Sequence, residues 1–117
     1  AERQQKAKAG VFGMLGSGIG AILSDRASKT EIRAADDDTE EFLDGVRSYS
    51  YKYRDRKHGL GHHLGVMAQD VAKSRAGKEI VSKRPDGLLE LDGKKTLGAL
   101  LAASANLNKR MRKIESR

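Results

Sequence analysis

The longest periodic pattern lies towards the C-terminal end. Leu97, Leu100, Ser104, Leu107, Met111 and Ile114 recur at spacings of three, four, three, four and three, and Leu101 widens the stripe on one side. Such a pattern is a heptad seam on a helix, here about two and a half heptads long. Two readings fit it: an amphipathic helix docking on its own sheet, or a short parallel coiled coil joining several chains. The flank NKRMRK is the charged face that either requires.

Upstream the period shortens to two. VRSYSYKYR alternates with tyrosines at 49, 51 and 53, as a strand with one aromatic face does, and Gly59 and Gly61 mark the turn after it. HLGVMAQDVAKSRA reads as a short strand running into a helix, with Val66, Met67 and Val71 inward. EIVSKRPDGLLELDG reads as a hairpin turning on Pro85, Asp86 and Gly87, because proline sets one φ and glycine permits a positive one. Before the tyrosines, Asp38 or Thr39 caps a short helix through Glu40, Glu41, Phe42, Leu43 and Val46, with acids at the positive end of its dipole. Together these elements predict an α+β fold: a small antiparallel sheet, short helices and a long C-terminal amphipathic, coiled-coil helix.

A different texture precedes Ser24. From Ala9 to Leu23, AGVFGMLGSGIGAIL carries no charge and is rich in glycine. It falls short of the roughly 18 apolar residues of a membrane span. Gly16 and Gly20 form a GxxxG pair that lets backbones approach closely. A flexible apolar linker, a close-packed stalk of several chains and a membrane-active segment all fit, so residues 1–23 are expected to be a linker or stalk and residues 24–117 a domain. The chain opens on Ala1 with no methionine, which reads as a fragment or a processed end.

Composition narrows the function. With 117 residues and 4% aromatics, a single chain has limited apolar surface to bury, and a partner chain would help. Absence of cysteine fits a reducing compartment. The net charge of +7 invites a nucleic-acid reading, but the charge is segregated into basic runs at 47–57 and 109–117 and an acidic block from Asp36 to Asp44. No zinc finger or RNA-binding signature accompanies it, so nucleic acid is not an expected partner. His58, His62 and His63 beside Asp55 lack an HExxH helix or a second ligand set and read as a hydrated turn. No metal or cofactor is expected.

Ser24 and Lys29 are the remaining candidates for chemistry. A nucleophilic serine needs a base, and lysine serves where burial or a cationic neighbour removes its proton. Five residues apart on a regular helix the two would sit about 140° apart, so they meet only if the chain bends between them.

Ser24-Asp25-Arg26, Lys29-Thr30 and Ile32 resemble the SDxxLKxxI opening of the C-terminal intramolecular chaperone domain, peptidase family S74, of phage endosialidases, tail fibres and tail spikes. YSYKY, LGVMAQDV, GLLELD and LGALLAASANLNKRMRKIE resemble later segments of that family in the same order. Ser28 stands where the family usually has leucine, and Glu31 where it has asparagine. The resemblance implies a homotrimer that registers and assembles the upstream part of its own chain, with other virion proteins nearby. It further implies a location in the virion, reached from the host cytoplasm, and self-cleavage by a dyad of Ser24 and Lys29. The alternative is a non-cleaving virion structural or membrane-active protein, touching membrane through residues 9–23, that retains the domain as an assembly module.

Overall fold

A computed structural model describes residues 20–116, in two compact units that meet in sequence between Ala34 and Ala35. Expectations for residues 9–19, Gly16 among them, lie outside the described residues. The second unit carries the α+β fold; the first is taken up with the candidate site.

Helix α1, Asp36–Gly45, begins earlier than its sequence pattern implies. Neither Asp38 nor Thr39 caps it: Ala35 is the N-cap and offers no side-chain bond, while Asp36, Asp37 and Asp38 fill the first turn and face the positive end of the dipole. Thr39 is instead buried. Its Oγ1 donates to the Asp36 carbonyl at 2.9 Å and accepts from Asn106 Nδ2 at 3.0 Å. Phe42, one turn on, enters the core.

The antiparallel pairing is divided between two two-stranded sheets. Strand β1, Tyr49–Tyr51, pairs with β2, His63–Gly65, so that Tyr51 stands opposite His63. Between them a 3-10 turn, Arg56–His58, is capped by the Asp55 carboxylate, which accepts from Lys57 N at 3.1 Å. The tyrosines do not share one open face. Tyr51 and Tyr53 meet edge-on at 5.3 Å, Tyr51 stacks on His63, and Tyr53 packs against both His58 and His63. The hydrogen bond with Tyr53, more than burial, raises the pKa of Tyr51. Tyr49 turns to the Asp70 carboxylate at 3.3 Å. The histidine turn is thus part of an aromatic cluster. Gly65 makes room for it, since a Cβ there would stand 2.9 Å from the Tyr51 hydroxyl.

Two short helices follow, α2 (Ala68–Val71) and α3 (Arg75–Lys78). Val71 is buried and Met67 half-buried as the pattern implied, but Val66 is exposed. It alternates onto the face of β2 that also carries exposed Leu64. Ser74 caps α3, its Oγ accepting from Gly77 N at 2.9 Å. Gly77 admits no side chain, because a Cβ would lie 1.7 Å from the Val71 carbonyl oxygen. Strands β3 (Val81–Lys83) and β4 (Leu89–Leu91) form the expected hairpin. Its turn closes by Gly87 N to Arg84 O at 2.9 Å, with Gly87 at φ 90°.

Helix α4, Gly93–Glu115, is capped by Asp92, whose carboxylate accepts from Lys95 N at 2.9 Å. Its docking face is not the heptad seam. Ala99, Ala103 and Asn106, at spacings of four and three, meet the core of Phe42, Val71 and Ile80. The small side chain of Ala103 lets the helix approach closely, and Asn106 Nδ2 donates to Thr39 Oγ1 and to the Asp36 carbonyl at 3.2 Å. Lys109 to Asp36 (2.7 Å) and Arg110 to Glu40 (3.2 Å) extend the contact at the exposed rim, where ion pairs add little. The hydrogen bond that Lys109 donates to Asp36, with the carboxylate charge behind it, raises the Lys109 pKa. Meanwhile Leu97, Leu100, Leu107, Met111 and Ile114 stay between 41% and 63% exposed. Of the two readings of the seam, docking on the chain's own sheet is therefore not what this fold does.

Asn106→Ala is expected to lower unfolding free energy by about 1–3 kcal/mol, because it removes a buried donor from two acceptors. Gly77→Ala should cost about as much through overpacking against the Val71 carbonyl. Denaturant melts of both variants test this.

Candidate functional site

Ser24 and Lys29 lie in the first unit, and the structure brings them together. Lys29 Nζ donates to Ser24 Oγ at 2.9 Å. The bend the spacing demands is supplied by a 3-10 turn, Arg26–Ser28, rather than by an α-helix. Ser24 and Lys29 flank that turn, and the long lysine side chain reaches back across it to the serine hydroxyl.

Two side chains that sequence reasoning did not assign to the site build that turn. Asp25 is its N-cap, with Oδ1 accepting from Ala27 N at 2.8 Å. Ser28 closes it twice on the Asp25 carbonyl, through its backbone N at 3.0 Å and its Oγ at 2.6 Å. Lys29 then leaves in extended conformation, its own N–H bonded to the Arg26 carbonyl at 3.1 Å. The signal was present, since an aspartate followed by a small hydroxyl residue three positions on is a turn-forming pair. Glu31, two residues beyond, has φ 52° and is the one non-glycine residue at positive φ among the described residues. That region favours asparagine over glutamate, so the chain holds a mildly strained corner just past the lysine.

Every residue from Ala21 to Thr30 is exposed. The pair is therefore in contact but uncovered, with no apolar wall around the lysine amine among the described residues. Among the described residues no group of three or more His, Asp or Glu is placed to hold a metal ion, and no helix is long and apolar enough to cross a membrane.

Comparison with protein families matches residues 24–81 to Peptidase S74, chaperone of endosialidase. The match begins at Ser24 itself. This chain carries a chaperone-of-endosialidase domain. The match spans the 3-10 turn, α1, both strands of the aromatic sheet, α2 and α3, and ends at the first residue of β3. It supports a phage intramolecular chaperone role in a virion or assembly context, in association with the upstream part of the same chain. Comparisons with curated proteins and with solved structures give no match.

The turn makes a prediction of its own. In nitrogen-edited spectra of the lysine side chains, Ser24→Ala should shift the Lys29 amine signal. Asp25→Ala should produce the same shift by opening the turn, whereas Asp25→Asn, which keeps the acceptor, should not.

Proposed function

We propose that residues 24–117 form a C-terminal intramolecular chaperone. It trimerises, assists assembly of a tail-fibre or tail-spike type virion protein, and then releases itself by cutting at Ser24. Residues 1–23 serve as the linker or stalk to the protein being assembled. The observation that carries the cleavage is the 2.9 Å contact of Lys29 Nζ with Ser24 Oγ at the first residue of the family match.

The chemistry is an acyl shift. Ser24 Oγ attacks the carbonyl carbon of Leu23, a path that closes a five-membered ring, whereas attack on its own carbonyl would need a four-membered one. Lys29 takes the hydroxyl proton and passes it to the departing nitrogen. The bond from Leu23 carbon to Ser24 nitrogen breaks as an ester to Oγ forms. Water then hydrolyses that ester, leaving a carboxylate on Leu23 and a free amine on Ser24.

A lysine becomes a base where it is desolvated or set beside another cation. Since both side chains of the pair are exposed in the single chain, the covering surface must come from assembly. The seam on α4 supplies the means, because five large apolar side chains in heptad spacing are left uncovered by the fold that holds the helix. Early trimerisation through a local helix raises the effective concentration of the slower upstream segments. Removal of the domain afterwards leaves the assembled shaft kinetically trapped.

In the full chain, mass spectrometry should find a fragment that begins at Ser24. Ser24→Ala and Lys29→Ala should each slow its appearance by at least about a hundredfold, the usual worth of a positioned base or nucleophile. Lys29→Arg should fail equally, because guanidinium keeps its proton. Replacing Leu100 and Leu107 by aspartate should dissociate the chains and slow the cut with them. Bonds around Ser24 that stay intact in a well-formed trimer would remove the cleavage from this reading.

A further inference from the structure

We propose that Ser104 fixes the register and direction of the three-chain seam. The inference rests on the trimer proposed above and adds to it the residue that selects one arrangement of the three helices over its neighbours.

Ser104 is the one polar member of the exposed stripe and sits at its middle, with Leu97 and Leu100 before it and Leu107, Met111 and Ile114 after it. In parallel helices in register, each layer of the seam is one residue repeated around the axis. Three Ser104 hydroxyls then converge. Each donates to the next and accepts from the one before, so three donors and three acceptors close a ring. A slip of one heptad sets Ser104 among Leu97 or Met111 side chains, and an inverted helix sets it against a leucine layer. Its hydroxyl can then fall back on the carbonyl four residues earlier in its own helix, which serves the proton but leaves the oxygen's lone pairs dry.

Charge makes little of this selection here. The residues that flank a heptad seam usually choose partner and orientation by ion pairs. In α4 those positions hold Thr96, Leu101, Ala103, Asn108, Arg110 and Glu115. The two charged ones lie at the C-terminal end of the helix, and Arg110 is engaged with Glu40 of its own chain at 3.2 Å. Ala103 is buried against the chain's own core. Apolar layers alone stabilise slipped and aligned helices almost equally, which leaves the serine as the distinguishing group at the middle of the seam.

The chain has no cysteine, so introduced thiols report the register without interference. Full-length chains carrying Leu100→Cys and chains carrying Leu107→Cys are folded together, oxidised and resolved by mass. With Ser104 present, disulfides should join like positions only. In a Ser104→Val background, disulfides between Leu100→Cys and Leu107→Cys chains should increase several-fold, while the melting temperature rises. Ser104→Ala, nearly isosteric, should show the same loss of register, and Ser104→Thr, which keeps the hydroxyl, should behave as the parent. Trimers that stay in register with valine and alanine at 104 would overturn the role of Ser104 and leave the trimer standing. A parent chain that sediments as a single protomer would overturn both.

Discussion

Asn106 decides what the rest of α4 can do. Its buried side-chain amide, bonded to Thr39 and to the Asp36 carbonyl, lets the helix dock on only one face, and Ala103 beside it permits the backbone of α4 to come close to α1. A helix held by an alanine and an asparagine gains less from burial than one held by leucines. The more apolar stripe, two residues round in the heptad, is thereby turned to solvent. A fold that places its better hydrophobic face outward has placed it for something else, since large exposed apolar patches on small domains mark interfaces. The core it keeps for itself is small: Phe42, Val71, Ile80 and Ala103, with a partly buried rim. A domain of this size with so little buried side-chain volume has little stability of its own, to which the proposed assembly would add.

The Ser24–Lys29 pair shows the same incompleteness. Its geometry is made locally, by a turn that needs only Asp25, Ser28 and the backbone between them. Its surroundings are not made at all within the exposed segment. Geometry without desolvation is what the proposed mechanism expects of a pair whose cut waits until the chains are registered.

Much of this was legible in the sequence because it is written in local chemistry. The turn at Pro85, Asp86 and Gly87, the helix that carries Phe42 and the inward Val71 follow from φ preferences and period. The order of five loose motifs was enough to suggest the family that residues 24–81 match. What escaped was non-local or below the resolution of pattern. Thr39 looks like a cap because its hydroxyl suits one, and only a partner 67 residues away turns it inward. Val66 looks buried because it is apolar, yet the two-stranded sheet it leaves has no layer over that face. The alternating tyrosines implied a flat aromatic strand, whereas the glycines at 59 and 65 let their rings gather with two histidines. The heptad stripe was read correctly as one face of a long helix, but which face of the helix the chain itself uses depends on Ala103 and Asn106, residues that carry no strong hydropathic signal.

The central claim is that self-cleavage is coupled to assembly, and it is tested most directly by dilution. The full chain is prepared over a range of concentrations in which sedimentation passes from one protomer to three, and the fragment beginning at Ser24 is quantified by mass spectrometry at each. The account predicts that the initial rate per chain follows the trimer fraction, vanishing as the chains separate and becoming independent of concentration once trimers are complete. Cleavage at full rate in separated chains, or none in complete trimers, would contradict it.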